Sequence, residues 1–481
     1  MKPTFLIGLS ALALAATASA DVTINVTGAT AFRSAALTTI KARYLAASSP
    51  SFKFAHDQAT GSLTKATRAI FIGSFPNITG TTTIRCTFTG SVEGVRALTL
   101  ANTADPTPPT YLPASVATAT ASSSGGETSL VTDLGAAADS DIAFSDVNKA
   151  ATPYTSGSLT FDNVGAIIFT MMTNEGSTIT NVTAQQYRAL LTQGYQKKSL
   201  FTGIAADTSK VFVVGRNDAS GTRTTAFAET GFGITNPVNQ YFAKTSAGNA
   251  ITVLKLADTS DTYKSTVWGQ NVVGNGGYES GSSVAAVFGR TTANTQIQDD
   301  TNAESFAAGP ISLVTWLGVG DASTAKNNGG VLCGYNGVSL DLATATTATA
   351  VAPNKMVDGT YYTISTTGPN FTAFGAANNN VGTSFTCVVG ATAIADAGTT
   401  GAVTTTTYTM STADKAKVNN GSYTAWGWER MIRKTSMSTG DKKTAYDAIK
   451  AAIPANISTA GMQTTELTGV KRSTDGGLVA P

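Results

Sequence analysis

Residues 210–233 read KVFVVGRNDASGTRTTAFAETGFG. An apolar run from Val211 to Val214 ends in a polar turn, Arg216-Asn217-Asp218-Ala219-Ser220-Gly221-Thr222, and a helical pattern containing Phe227 follows. The segment therefore predicts strand, turn, helix. The same order recurs along the chain. In residues 21–45, DVTINVTGATAFRSAALTTIKARYL, Val22, Ile24 and Val26 alternate up to Gly28, after which Phe32, Ala35, Ala36 and Ile40 return at helical spacing. Residues 82–100, TTIRCTFTGSVEGVRALTL, alternate through Ile84, Cys86 and Phe88, turn at Gly90-Ser91 and continue helically through Val95 and Leu98. Residues 140–148, SDIAFSDVN, give a short strand ending in Ser145-Asp146. Strands alternating with helices predict an α/β architecture on mainly parallel sheet.

Other segments fill in the frame. AIIFTMMTN (166–174) and GPISLVTWLGV (309–319) read as buried strands, and TAQQYRALLTQG (183–194) as an amphipathic helix. Residues 101–129, rich in Pro, Thr and Ser, predict a long surface loop. From about 342 to 404 the texture changes to Thr, Ala, Asn and Gly with short alternating apolar pairs, which predicts a small β-rich insert. Its run FTAFGAANNNVGTSFT (371–386) resembles a β-module found inside phage structural proteins. GSYTAWGWERMIRK (421–434) reads as a return to helix.

Composition removes several functional classes. Of the 481 residues only 13% are charged, with Lys+Arg 32 against Asp+Glu 30. That balance lacks the basic excess of a nucleic-acid binder, and 42% hydrophobic residues exclude a charge-driven disordered chain. The single histidine, His56, excludes a multi-histidine metal site and is expected at the surface or in a loop. Neither a metal, a cofactor nor a hydrolytic site is expected, so the chain is read as a non-enzyme. Residues 1–20 have the pattern of a secretory signal peptide: Lys2, the apolar stretch Phe5 to Ala16, then Ala18-Ser19-Ala20. The stretch is too short for a membrane span, no cysteine near the cut offers a lipid anchor, and a periplasmic or extracellular location is expected. Of the three cysteines, Cys333 and Cys387 are expected to pair, leaving Cys86.

The strand ends carry the chemistry. Thr30, Ser91 and the run Ser220-Gly221-Thr222 each open a helix, where unpaired backbone N–H groups and the positive end of the peptide dipole favour an anion. Arg216 adds a full charge in a geometry suited to an oxyanion, and Asp218 is expected to hold it in place. Asp146 is useful only if the anion carries a proton that the carboxylate can accept. Phosphate has such a proton at neutral pH and sulfate has none.

These runs resemble the phosphate-binding proteins of bacterial phosphate ABC transporters. The runs that carry the resemblance are TGATAF (27–32), TGSVEGVRAL (89–98), DIAFSDV (141–147), VGAIIFTMMTN (164–174), VGRNDASGTRTTAF (214–227) and NGSYTAWGWERM (420–431). It implies a two-lobed type II periplasmic-binding-protein fold with a cleft between lobes. One lobe would span 21–165 and 405–481, the other 166–404. By resemblance, Thr30 and the backbone of Ala31 make the first anion contact and Ser91 the second. Asp146 accepts the proton, and Arg216, Ser220, Gly221 and Thr222 close the site. Inorganic phosphate and an ABC transporter membrane permease are the partners implied, for a monomer that contacts no nucleic acid. Three positions depart from the family pattern. Ala31-Phe32 stands where an aromatic usually follows Gly-Ala-Thr directly. Glu93 would weaken anion binding if it pointed inward, and Arg33 either compensates or serves a larger anion. The alternative is a surface or adhesion protein that reuses the fold, with the Thr-rich insert making its contacts. Trp426 and Trp428 are expected to pack under the first lobe.

Overall fold

The structure, a computed structural model, describes residues 21–47, 51–100, 108–247, 250–257, 273–344, 349–356, 361–387, 398, 400–405, 408–457 and 461–481. The expected signal peptide, residues 1–20, lies outside the described residues, as do residues 101–107 of the Pro/Thr-rich run.

The N-terminal alternation forms β1 (Val22–Gly28) and the helical spacing after it α1 (Arg33–Ala46). Then come β2 (Lys53–His56), β3 (Arg68–Phe75), β4 (Ile78–Thr87), α2 (Ser91–Leu100), β5 (Gly126–Thr128) and β6 (Ile142–Ser145). β1 runs parallel to β4 on one side and β6 on the other, with Thr27 opposite Thr87 and Ala143. Parallel pairing brings the carboxyl ends of all three strands out on one edge, the edge where ligands sit in open α/β sheets.

β7 (Leu159–Thr173) connects two halves of the molecule. After it the chain forms β8 (Asn181–Val182), α3 (Ala184–Gln193), β9 (Tyr195–Lys197), α4 (Ser199–Thr202), β10 (Lys210–Val213) and α5 (Gly221–Thr230). Next are β11 (Tyr241–Ala247), β12 (Ala250–Leu256), α6 (Gly281–Phe288), β13 (Thr295–Gln298) and β14 (Glu304–Gly309). β15 (Ile311–Gly318), α7 (Val319–Asn327) and β16 (Val331–Tyr335) complete this half. The insert carries β17 (Ala343–Thr344), β18 (Thr349–Val351), β19 (Tyr361–Thr366), β20 (Ser384–Thr386), β21 (Ala402–Thr405) and β22 (Tyr408–Thr409). The chain then returns through α8 (Thr412–Asn419), β23 (Trp426–Lys434), α9 (Asp441–Ala452) and β24 (Gly461–Met462).

Along β7, residues 159–168 pair with β23, whereas residues 169–173 pair with β15. A single strand thus passes from one sheet into the next. β10 is parallel to β15, so its carboxyl end, the Arg216 turn, also faces the interior edge. Each half gathers buried side chains of its own. One gathers Ile24, Phe54, Phe71, Phe144, Met431 and Tyr446; the other gathers Phe169, Leu190, Phe212, Phe227, Leu313 and Trp316. The expected α/β fold is present, and the β-rich insert has its own small core around Tyr362, Phe371 and Phe385.

Several expectations are corrected. Residues 426–434 are strand, not helix: β6 and β7 offer unpaired backbone on both sides, and β23 pairs with each of them. Cross-strand pairing outweighs the local helical spacing. Threading β7 and β23 antiparallel through the centre makes the sheet mixed rather than mainly parallel. Trp426 packs in the core of the second lobe, not under the first. Cys333 and Cys387 are not joined by a disulfide, since one lies in the second-lobe core and the other in the core of the insert. His56 is fully buried in β2. Its Nδ1 accepts from the Gln58 N–H at 3.2 Å, so Nε2 carries a proton and donates to Glu127 Oε1 at 2.9 Å. The Pro/Thr-rich run is no plain surface loop either, because β5 extends the sheet beside β2 and Tyr111 and Leu112 are buried.

Candidate functional site

The polar strand ends meet as the parallel register requires. Gly90 N–H donates to Gly28 O at 3.0 Å and Ala29 N–H to Phe144 O at 2.8 Å, so the turns after β1, β4 and β6 are locked together. Thr30 and Ala31 sit half-buried in the turn between β1 and α1. Ser91 opens α2, and its Oγ accepts from the Asp146 N–H at 3.3 Å. Ser145 Oγ donates to Val147 O at 2.8 Å and holds the turn that presents Asp146.

The second lobe meets this edge directly. Val92 N–H donates to Ala219 O at 3.1 Å across the lobes. Gly221 is the first residue of α5, and a Cβ there would lie 2.5 Å from Asp146 Cγ and 2.6 Å from Ser91 Cβ. Only glycine permits that approach. Ser91, Asp146 and Gly221, far apart in sequence, are thus in mutual contact.

Asp146 is 1% exposed, and neither carboxylate oxygen has a partner in good hydrogen-bond geometry. Burial pushes its pKa up, while the Ser91 hydroxyl beside it and the charge of Arg216 pull the other way. Arg216 is 3% exposed; its Nε donates to Tyr278 O at 3.1 Å and one Nη to Glu279 O at 2.7 Å. Burial lowers its pKa to about 10, opposed chiefly by Asp321 and then Asp146. The guanidinium is therefore fixed by two carbonyls and still charged at neutral pH.

The remaining expected residues take different places. Ser220 Oγ caps α5 by accepting from Arg223 N–H at 3.3 Å, an ordinary helix-capping role. Thr222 is buried in the first turn of α5. Among the described residues, no side-chain hydrogen bond joins Thr30 or Thr222 to the rest of the site. Asp218, expected to hold Arg216, acts electrostatically on Arg223. Arg223 in turn donates to Arg216 O at 3.3 Å and Asn275 O at 2.7 Å, so Asp218 supports the loop at one remove. Glu93 does not point into the site as a bare charge; it pairs with Arg96 Nε at 2.5 Å within α2.

Three groups at the site had no part in the sequence reading or only a minor one. Asp321, in the first turn of α7, is the leading charge acting on Arg216. Arg33, 8% exposed, faces Asp321 and Asp57. Glu429 on β23 is fully buried with no hydrogen-bond partner at either oxygen. Burial and the charge of Asp146 push its pKa well above the usual carboxylate range. Asp321 follows one more strand end, Gly318, and that repeat of the pattern was its only signal; Glu429 had none. Among the described residues, no group of three or more His, Cys, Asp or Glu side chains is placed to hold a metal, and no helix is long and apolar enough to cross a membrane.

No known family description matches the chain, and no curated protein matches it. Solved structures do. The phosphate-binding protein from Stenotrophomonas maltophilia aligns over 93% of this chain and 92% of its own, at 11% identity and a TM-score of 0.37. An ABC-type phosphate transport receptor from Vibrio cholerae aligns over 90% and 96%, at 8% identity and a TM-score of 0.36. PstS from Borrelia burgdorferi aligns over 92% and 99%, at 10% identity and a TM-score of 0.32. The chain resembles phosphate-transport binding proteins.

Proposed function

We propose that this chain is an extracytoplasmic solute-binding protein that captures inorganic phosphate, or a related oxyanion, between its lobes for delivery to an ABC permease. Asp146 carries the reading. A buried carboxylate without a hydrogen-bond partner is costly, and its position between two helix starts and a fixed arginine supplies a reason to retain it. A protonated oxyanion satisfies both signs of charge: its oxygens accept from Arg216 and the helix N–H groups, and its O–H donates to Asp146. Thr30, the Ala31 backbone and Ser91 would complete the contacts from the first lobe. Ser220, Gly221 and Thr222 would complete them from the second. Closure is a hinge motion through β7 and β23, stabilised by ligand contacts to both lobes. No bond is made or broken.

Calorimetry on the full chain, freed of anion by unfolding and refolding, tests this with phosphate and then sulfate. One-to-one phosphate binding with no sulfate signal is expected. Asp146→Asn should weaken phosphate by roughly 10- to 150-fold, the worth of one charge-assisted hydrogen bond. Silence toward both anions from a folded sample would sink the proposal. The adhesion reading, favoured by an insert with a core of its own, would then lead.

A further inference from the structure

Asp321 poses a problem that the phosphate reading leaves unsolved. It lies in the first turn of α7, which begins after Gly318 at the end of β15. A Cβ at Gly281, the first residue of α6, would overlap the Asp321 carboxylate. The carboxylate therefore rests directly on the N-terminal end of a second helix, as Asp146 rests on Gly221 at the start of α5. Arg216 is fixed by the segment just before Gly281, through Tyr278 O and Glu279 O. The charges acting on Asp321 are Arg216 and, from the opposite lobe, Arg33. Among the described residues no direct ion pair joins Asp321 to either arginine. Asp321 is also only partly buried, whereas both arginines are below 9% exposed. The carboxylate thus stands between the fields of two buried guanidinium groups, one from each lobe. Gly318 brings the start of α7 against the first lobe, since a Cβ there would be 4.0 Å from Ala31 Cβ.

The cleft consequently presents two guanidinium groups and two carboxylates. A ligand that supplies one hydroxyl satisfies Asp146 and leaves Asp321 facing an oxygen lone pair. Two acceptors need two donors. We propose that Asp321 is a specificity-determining residue, a second proton acceptor that restricts the site to an oxyanion bearing two hydroxyl groups, which for phosphate is the dihydrogen monoanion. The inference rests on the phosphate reading. Beyond these arginines, Glu279 acts on Arg216, and Asp57 and Lys65 are coupled to Arg33. None of them faces Asp146 and Asp321 together.

The consequence is a pH dependence that one acceptor cannot produce. Phosphate loses its second proton near neutral pH, and affinity for total phosphate should then fall about tenfold per pH unit. A site with Asp146 alone accepts the monohydrogen dianion and shows no fall in that range. The experiment is titration of the full chain with inorganic phosphate at pH 6.0, 7.0 and 8.5, for the wild type and Asp321→Asn. The wild type should lose at least about tenfold between pH 7.0 and 8.5. Asp321→Asn, whose amide can donate to the dianion, should bind with no such fall and exceed the wild type at pH 8.5. Wild-type affinity that is flat with pH would overturn the role of Asp321 while leaving the phosphate reading intact, and needs no variant to fold. A variant that keeps the wild-type slope would overturn it equally. Absence of phosphate binding by the wild type at every pH would remove both.

Discussion

Replacing Gly221 with alanine separates a closing cleft from a fixed one. The new methyl group would overlap the Asp146 carboxylate and lie 2.6 Å from Ser91 Cβ, closer than carbon atoms approach one another. Asp146 cannot simply rotate away, because the Ser91 and Ser145 contacts fix its turn and the site around it is buried. The lobes must separate instead. Each lobe keeps its own core, so the cost falls on closure and not on folding. Alanine in the first turn of α5 is at least as good a helix former as glycine. The Tm should therefore stay within a few degrees of the wild type. What is lost is simultaneous engagement of Asp146 and Arg216. At about 1.5–3 kcal/mol for each charge-assisted hydrogen bond, giving up two comes to roughly 3–6 kcal/mol, or at least about a hundredfold in Kd. Calorimetry measures the affinity, and small-angle scattering measures the phosphate-induced compaction, which should disappear. A Gly221→Ala protein that binds within threefold of the wild type and still compacts would refute the closure geometry.

Two further outcomes follow from buried groups. Burial and the charge of Asp146 favour the protonated form of Glu429 in the folded state, whereas the unfolded chain releases that proton above about pH 4.3. Its contribution to stability is therefore complete below that pH and declines as pH rises, by about 1.4 kcal/mol per unit until its folded pKa is passed. Glu429→Gln should remove the decline, so its Tm relative to the wild type should rise as pH increases above about 5; a constant difference would show that the Glu429 pKa is not raised by folding. Burial raises the Cys333 thiol to about 11 and raises Cys86 further. A thiol reagent should reach these two only on unfolding, and a reductant should leave the Tm unchanged; a Tm that drops on reduction would mean a disulfide is present.

Much of the frame was legible in local pattern. Period-two runs at 22–28 and 84–88, the apolar run at 211–214 and the helical spacing after each became β1 with α1, β4 with α2, and β10 with α5. Those signals are local, set by backbone pairing and by which face of each element is apolar. The segment at 421–434 misled for the opposite reason: its apolar spacing suits a helix, and only the slot between β6 and β7 makes it a strand. His56 was misjudged because one polar residue gives no pattern, and its burial depends on β5 bringing Glu127 to it.

The site divides in the same way. Local patterning sets the strand ends, the helix starts behind them, and the presence of Ser91, Asp146, Arg216 and Gly221 at those ends, because each is a matter of a few adjacent residues. Which charges face one another is settled by the packing of elements distant in sequence. It sent Asp218 to Arg223 and Glu93 to Arg96. It set Asp321 and Arg33 opposite Arg216 and placed Glu429 behind Asp146. Electrostatic partnership depends on distance through space and on burial, and a linear sequence specifies neither until the lobes have folded against each other.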